Sequence, residues 1–548
     1  MTATATGVSE FPVPADLDGF WMFDQVHAPR PLTPLSAEIL LTGLSDGFRS
    51  AMREVGYPLG FAMRAVNTYG YIALLPHQEQ EDEPDEGSAW TEDSAALMQR
   101  LGERWEQEWL PAILPGLERL RTLDYAALSD DALVAVLGDL RRDLVARWRV
   151  HGYLLFTYQA ASTFDDFYRE ALAPVDVTEP YQLLSGFQTQ TFYANRGLWQ
   201  LSRLVRRSPH LARLFAETTT ADRLAALEGC EAGRAYLAEL RTYLEEFGWR
   251  ADAILELAEP MWREDLAIPL NALRGLIDRG DDEDPDARLQ RIAERRQRLL
   301  AEARSKLVHD PERLARFDLL YEEARHHVIV DENHNFYIDQ MGNAALRLPV
   351  LELGRRLVGH GAVDRIEEVF LLTTTQIKAG LGGVDQRAEV ARQRAVLAHW
   401  ATVTPPPSIG EPPADDELDS FIAAMIKVDA PPEPQPQTPT TIRGTPASPG
   451  TARGRARVAR SLEEASTVRP GQILVCEMTL PPWSVLFATI RAVVADTGGI
   501  LSHCATVARE YGIPCVVGTT VGTTAIRDGM LLEVNGTTGE VKIVGGPT

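Results

Sequence analysis

The segment that decides the fold of the C-terminal region reads Asp496-Thr-Gly-Gly-Ile-Leu-Ser-His-Cys-Ala-Thr-Val-Ala-Arg-Glu-Tyr-Gly-Ile-Pro-Cys-Val-Val-Gly518. The apolar run Ala492-Val-Val-Ala495 precedes it and has the length of a buried strand. Two glycines then predict a turn, and residues 504–511 predict a short helix that ends at a glycine and a proline. Cys515-Val-Val517 predicts a second buried strand. We therefore expect His503 in the first turn of a helix, directly behind a glycine loop.

This placement of His503 suits one chemistry in particular. Unpaired backbone N–H groups and the positive end of the helix dipole attract an anion to a helix N-terminus, and glycines allow the backbone to approach a ligand closely. A neutral imidazole is a nucleophile near pH 7 and forms covalent intermediates. A lone histidine more often caps a helix or lies in a core, but here the loop, the helix start and the nucleophile coincide. We interpret His503 as a phosphoryl carrier.

The pattern Thr497-Gly-Gly-x-x-Ser-His-x-Ala-x-x-Ala-Arg-Glu-x-Gly-Ile-Pro-x-Val-Val-Gly518 closely resembles the phosphohistidine, or swivelling, domain of the PEP-utilising enzymes. That group includes PEP synthase, pyruvate phosphate dikinase, rifampicin phosphotransferase and phenylphosphate synthase. The resemblance implies that His503 is transiently phosphorylated. Relatives often have Ala at the position of Cys504, a small-for-small change.

A phosphoryl group on His503 needs hydrogen-bond donors around it. We expect the Ser502 side chain and backbone N–H groups to hold its oxygens. Arg509 adds positive charge unless it pairs with Glu510 or another neighbour. The predicted phosphate-binding residues are Thr497, Gly498, Gly499, Ser502 and Arg509.

The composition predicts a multidomain, soluble, cytoplasmic protein. The chain has 548 residues, which exceeds the length of one ordinary domain. Hydrophobic residues make up 45% of it and charged residues 24%, as is typical of a soluble globular protein. A net charge of −24 argues against a nucleic-acid or anionic membrane surface. The four cysteines form no CxxC pair, so neither a disulfide framework nor a metal site is expected. No signal-peptide pattern and no apolar run of about 18 residues occur.

The region ahead of the predicted carrier domain is mainly helical by pattern. Apolar residues recur three and four apart from about residue 94 to residue 400, and residues 67–75 alternate like a strand or hairpin. The segments Glu246-Phe-Gly-Trp-Arg250 and Glu259-Pro-Met-Trp-Arg-Glu-Asp265 resemble the acceptor-binding domain of rifampicin phosphotransferase and phenylphosphate synthase. The resemblance therefore covers most of the chain and implies a helical acceptor-binding domain.

Two stretches supply the predicted acceptor site. One is the proline-rich loop from Trp21 to Pro34, whose polar residues face the acceptor by resemblance, and the other is the segment Glu322 to Asp339. In a helix, Glu332 and His334 diverge by about 160°, so both reach one pocket only if it wraps the helix or the helix breaks. The predicted catalytic residues besides His503 are Glu332, His334 and His27, and the predicted substrate-binding residues are Gln25, Trp21, Arg325 and Phe336.

A general base near an acceptor hydroxyl is the function expected of this cluster. The alternative is a polar, partly solvated helix face. Antibiotic phosphotransferases, by resemblance, carry an arginine and a lysine near residues 332–335, where this chain has acidic and amide residues. A different acceptor, or different handling of it, is therefore expected.

The proline-rich run at residues 430–439 predicts an extended hinge. We accordingly predict three parts: a large, mainly α-helical acceptor-binding domain at residues 1–426, a linker at 427–441, and a small α/β swivelling phosphohistidine domain at 442–548. A carrier domain on such a linker meets a donor site and then an acceptor site at high effective concentration.

Two functions stay open at this point. Full-length relatives carry an ATP-grasp domain, whereas this sequence shows no GxxxxGK[ST] motif and no run of eight strand–helix units. The first expectation is a phosphotransferase component of secondary metabolism, in which His503 passes a phosphoryl group to a hydroxyl of a small organic acceptor. A separate ATP-grasp partner would supply the group from ATP and Mg²⁺. The second is a self-sufficient acid/base enzyme, a dehydratase or isomerase, with His503 repurposed; a regulatory binding protein is a third option.

Overall fold

A computed structural model describes residues 11–25, 27–77, 90–157, 159–251, 253–279, 284–412, 440–465, 467–479, 481–500 and 502–547. The predicted hinge at 427–441 lies outside the described residues except for its last two. The chain forms two compact units. The first is Met1–Thr157 with Ala253–Pro260 and Tyr337–Asp419, and the second is Tyr158–Asp252 with Met261–Phe336 and Ser420–Thr548.

Helices dominate the chain up to about residue 400, as the sequence predicts. Their bounds are α1 Pro34–Ser36, α2 Thr42–Glu54, α3 Trp90–Arg104, α4 Leu110–Thr122, α5 Asp130–Leu155, α6 Gln159–Leu172, α7 Glu179–Leu183, α8 Gln190–Arg207, α9 Pro209–Glu217, α10 Thr220–Glu228, α11 Glu231–Phe247, α12 Ala267–Arg279, α13 Pro285–Leu307, α14 Pro311–His334, α15 Asn343–Ala345, α16 Arg347–Gly359, α17 Thr374–Leu381, α18 Arg387–Trp400, α19 Leu462–Ala465, α20 His503–Tyr511 and α21 Gly522–Ala525.

Tighter and wider helical turns join some of these helices. The 3₁₀ segments are Tyr125–Ala127, Ile366–Leu371 and Pro481–Ala488, and the π-helical segments are Ala37–Leu41, Trp105–Trp109 and Asn335–Gly342. The last one follows α14 directly. The regular α-helix therefore ends at His334, close to the cluster that the sequence singles out.

The strands belong to two sheets. Their bounds are β1 Trp21–Phe23, β2 Leu59–Val66, β3 Tyr69–Pro76, β4 Ser408–Ile409, β5 Thr441–Arg443, β6 Thr445–Ser448, β7 Thr451–Ala459, β8 Ile473–Cys476, β9 Ala492–Ala495, β10 Cys515–Val517, β11 Leu531–Asn535 and β12 Glu540–Gly545.

The first unit holds an antiparallel sheet of order β2-β3-β1-β4. Strands β2 and β3 form a hairpin through Asn67 and Thr68, which both have positive φ angles (49° and 74°), as a tight two-residue hairpin turn requires. The predicted strand or hairpin at residues 67–75 is confirmed. Trp21 lies buried in β1 and packs with Tyr69, Tyr71 and other apolar residues of this sheet.

The second unit combines helices α6–α14 with an eight-stranded sheet of order β5-β12-β11-β7-β8-β9-β10-β6. Strands β7 to β10 pair in parallel. Strands β8, β9 and β10 are apolar and buried along their whole length, as parallel strands covered on both faces must be. One apolar core includes Leu240 and Leu273 from the helices together with Phe487 and Val493 from the α/β region.

This shared core fixes the α/β region against the helices within the second unit. The C-terminal α/β region matches the predicted fold class in outline. The domain boundaries at residues 426 and 442 stay a prediction.

Candidate functional site

The His503 loop and helix have the local structure that the sequence predicts. Strand β9 ends at Ala495, and α20 begins at His503. Ser502 is its N-cap, with φ −59° and ψ 155°, and its Oγ accepts the Ala505 N–H at 3.4 Å. Gly498 has a φ of +86°, which glycine adopts without strain. His503 is thus held at the start of a capped helix.

The first residue of the loop is anchored by its own carboxylate. Asp496 is buried and accepts hydrogen bonds from the Thr519 hydroxyl at 2.7 Å, the Gly522 N–H at 2.5 Å and both donors of Thr523 at 3.0 and 2.5 Å. These bonds tie the loop to the turn after β10. Sequence reasoning did not single out Asp496.

Arg509 braces the other side of the loop. It is buried, and its Nη1 donates to the carbonyls of Ala447 at 2.9 Å and Ile500 at 2.7 Å, while Nη2 donates to Thr506 Oγ1 at 3.2 Å. These bonds favour a supporting role for Arg509. A direct bond from Arg509 to a phosphoryl group stays a prediction. The Thr497 hydroxyl donates to the Glu477 carbonyl at 2.9 Å, and phosphate binding by Thr497 also stays a prediction.

The imidazole of His503 lies beside a carboxylate. Its Nδ1 is 3.4 Å from Oε1 of Glu332, with 17% of the His503 side chain and 10% of the Glu332 side chain exposed. The Thr191 hydroxyl donates to the other oxygen, Oε2, at 2.9 Å. Among the described residues, His503 Nε2 is buried and has no hydrogen-bond partner. A carboxylate at Nδ1 favours the proton there and leaves the lone pair on Nε2.

The charge on Glu332 is kept by its neighbours. Burial alone would raise the pKa of Glu332, but the hydrogen bonds from His503 and Thr191 and the nearby His334 outweigh burial, so this pKa is lowered. Burial and the Glu332 charge raise the pKa of Glu510 to about 8, against the opposing effect of Arg288 and Arg509. Glu332 therefore keeps its negative charge beside His503 at neutral pH.

The end of α14 brings Glu332 to this position. The Asn333 side chain accepts the Gln190 N–H at 3.0 Å, next to the bond from Thr191, so the start of α8 is tied to the end of α14. His334 is buried, with Nδ1 3.3 Å from the Val330 carbonyl. The π-helical turn begins only at Asn335, so Glu332 and His334 both lie in the regular α-helix and diverge around it. Their joint action on one acceptor stays a prediction.

The other predicted residues of this segment have local partners. Arg325 donates to Glu322 Oε2 at 2.6 and 2.9 Å on its own helix. Phe336 is buried, with its ring 5.8 Å from that of Phe247. The structure gives neither residue a described contact with His503, and their roles in substrate binding stay predictions.

The predicted loop residues lie in the first unit. His27 Nδ1 is 3.0 Å from Asp24 Oδ1. Trp21 is buried and its indole N–H donates to the Asp18 carbonyl at 2.9 Å. Gln25 is half-buried. The catalytic role of His27 and the substrate-binding roles of Trp21 and Gln25 stay predictions.

Comparisons with known proteins agree with the motif. A family model of the rifampicin phosphotransferase fourth domain matches residues 149–332, and one of the PEP-utilising enzyme mobile domain matches residues 468–539. Residues 468–539 are therefore similar to the PEP-utilising enzyme mobile domain. The family resemblance drawn from the His503 motif is thereby confirmed. The first match ends at Glu332 and the second contains His503.

Three relatives show how far this similarity extends. Chondramide synthase cmdD of Chondromyces crocatus is 34% identical over 98% of this chain and 14% of the relative. The uncharacterised phosphotransferase YvkC of Bacillus subtilis is 27% identical over 96% of the chain and 62% of the relative. A rifampicin phosphotransferase of Streptomyces sviceus is 27% identical over 63% of the chain and 39% of the relative. The chain spans less than two thirds of each relative.

Within the described part of the chain, no helix combines the length and the apolar character needed to cross a membrane.

Proposed function

We propose that this chain is the acceptor-binding and carrier component of a phosphotransferase. His503 accepts a phosphoryl group and passes it to a hydroxyl of a small organic acceptor. The observation that carries this proposal is the state of the imidazole: Nδ1 faces the Glu332 carboxylate, and Nε2 is buried with no partner among the described residues. The matches to phosphotransferase family models support the same chemistry.

In the first half-reaction, the Nε2 lone pair attacks the phosphorus of the donor. A P–N bond forms and the bond from phosphorus to the donor's leaving oxygen breaks. Glu332 keeps the proton on Nδ1, so the phosphorylated ring carries a positive charge that the adjacent carboxylate offsets. A separate ATP-grasp protein, with ATP and Mg²⁺, is the proposed donor.

In the second half-reaction, an acceptor oxygen attacks phosphorus in line. The P–N bond breaks, and its electron pair returns to Nε2. Because Nδ1 stays protonated, the leaving group is a neutral imidazole. The acceptor's proton passes to a base, for which His334 and His27 are the proposed residues. Phosphoryl transfer depends mainly on such positioning and charge stabilisation.

The chondramide synthase relative supports a place in secondary metabolism. The acceptor is accordingly proposed as a hydroxylated small molecule of that kind.

The test is intact-mass measurement after treatment with phosphoramidate, a small phosphoryl donor, and separately with ATP, Mg²⁺ and an ATP-grasp protein. We expect one phosphoryl adduct on the wild type and on the control His360→Asn, and none on His503→Asn. Adduct formation must decrease when a suitable hydroxylated acceptor is added. Turnover of an acceptor by the chain alone, with no adduct, would replace this proposal by the acid/base alternative.

A further inference from the structure

Arg250 is a buried cation whose guanidinium has no described hydrogen bond. It follows α11, in the second unit, and its residue is 1% exposed. Its Nε and Nη1 atoms are buried, and neither has a hydrogen-bond partner among the described residues. The guanidinium carbon lies 5.6 Å from the Trp262 ring centroid and 5.8 Å from that of Phe336. Aromatic faces attract a cation but do not satisfy its N–H donors.

Arg223 shows how the same unit buries an arginine for structure alone. It is 0% exposed, and its guanidinium donates to the Asn271 side chain at 3.2 Å and to the carbonyls of Thr218 and Leu270 at 3.3 and 3.4 Å. A buried charge without such partners destabilises a protein by several kcal/mol, in rough terms. The free donors of Arg250 are therefore typical of a site that awaits an anion.

Arg250 lies beside the segment that carries Glu332, because its guanidinium carbon is 5.8 Å from the ring of Phe336, four residues after Glu332. Burial lowers the pKa of Arg250, and the neighbouring Tyr243, Glu332 and Tyr511 oppose that effect, of which Glu332 is the carboxylate. Glu332 is the carboxylate beside His503. Tyr511 is the last residue of the helix that begins at His503. The same carboxylate thus acts on both the nucleophile and the unpaired cation.

A phosphoryl group carried to this place would bring negative charge close to Glu332. Without a cation, that charge would be repelled by the carboxylate and poorly solvated in a buried site. A guanidinium binds phosphate oxygens through several N–H donors and stays charged when buried. We propose that Arg250 binds the phosphoryl group in transit at His503, and that it forms a buried anion site with the His503 ring. This inference rests on the proposed function.

The test uses inorganic phosphate as the probe, at matched ionic strength with chloride. Melting temperatures and phosphate dissociation constants are measured for the wild type, Arg250→Met, Arg250→Lys and the control Arg223→Met. Without phosphate, Arg250→Met should melt at or above the wild type, because an unpaired buried charge is removed. Phosphate should raise the melting temperature of the wild type and of Arg223→Met, but not that of Arg250→Met.

We expect the affinity for phosphate to fall at least tenfold in Arg250→Met and by a smaller factor in Arg250→Lys. Equal phosphate affinity in the wild type and in Arg250→Met would overturn the inference. If Arg250→Met does not fold, the comparison uses Arg250→Lys and His503→Asn instead. Wild-type phosphate affinity in Arg250→Lys, together with reduced phosphate affinity in His503→Asn, would also overturn the inference.

Intact mass of the same proteins after phosphoramidate treatment separates this inference from the proposed function. Phosphate binding that depends on Arg250, with no adduct on His503, would sink the proposed function and leave the anion site. An adduct on His503, with equal phosphate affinity in the wild type and in Arg250→Met, would overturn the anion site and leave the proposed function.

Discussion

Nδ1 of His503 lies 3.4 Å from Oε1 of Glu332, and this pair joins the two segments that carry the chemistry. His503 begins α20 of the α/β region, and Glu332 lies near the end of α14. Both belong to the second unit, where a common apolar core holds the two parts together. The carboxylate sets the tautomer of the imidazole, and the unpaired Nε2 is the atom left to react.

Replacing Glu332 by Gln tests the role of this carboxylate. The amide keeps the shape but loses the charge that stabilises a proton on Nδ1. Phosphoryl transfer from His503 should slow by on the order of 10- to 100-fold, as when a carboxylate that orients a histidine is removed. The measurement is the single-turnover decay of the phosphohistidine adduct with an acceptor.

Glu323→Gln is the matched control for that variant, since Glu323 is a buried glutamate on the same helix. It should leave the decay rate unchanged. Equal rates in Glu332→Gln and Glu323→Gln would show that Glu332 only packs against the ring.

Glu510 should make the protein less stable as the pH rises. Its pKa is raised from 4.5 to about 8 by burial and by Glu332. Between these values the folded state binds the proton more tightly than the unfolded state, so stability is lost as pH rises from about 4.5 to about 8, by at most about 1.4 kcal/mol per pH unit.

Denaturant unfolding of the wild type and of Glu510→Gln at several pH values checks this. The variant should show a flatter profile in that window and should exceed the wild type in stability near pH 8. Parallel profiles would mean that Glu510 is ionised at neutral pH and that its neighbours satisfy its charge.

Arg509→Met should loosen the His503 loop. It leaves the carbonyls of Ala447 and Ile500 without these donors, at a cost of about 1–3 kcal/mol for each buried group. We expect lower stability in denaturant and faster amide hydrogen exchange in residues 497–503. The surface variant Arg387→Met, whose partner Asp385 is exposed, should change neither quantity. Unchanged exchange in Arg509→Met would refute the bracing role.

Asp496→Asn tests the anchor at the start of the loop. An amide accepts through one oxygen and places its NH₂ group against buried donors, so some of the four hydrogen bonds are lost. Stability should fall by about 2 kcal/mol or more. The rate at which phosphoramidate phosphorylates His503 should fall as well. A variant with wild-type stability and wild-type phosphorylation would contradict the anchoring role.

The sequence predicts what depends on neighbours along the chain. The glycines, Ser502 and the apolar runs around His503 set β9, β10 and the start of α20, and each is where the pattern places it. The hairpin at residues 67–75 follows from local alternation in the same way. Helical periodicity also predicts the mainly helical region, because apolar stripes must pack together.

Pairings between distant residues could not be predicted in this way. The bond from Thr191 to Glu332 spans 141 positions, and nothing in either segment marks the other. Arg250 stands in a segment that resembles the family, but only the absence of a described hydrogen bond to its buried guanidinium distinguishes it from an arginine such as Arg223. Sequence reasoning put Glu332 and His503 in one reaction, whereas their direct contact emerges only from tertiary packing.

NMR of protein labelled with ¹⁵N-histidine and phosphorylated with phosphoramidate shows directly which imidazole nitrogen carries the phosphoryl group. We expect a single phosphohistidine at His503, with phosphorus bonded to Nε2 and a proton retained on Nδ1. Phosphorus on Nδ1 of His503, phosphorylation of another residue in its place, or no phosphohistidine at all would contradict it.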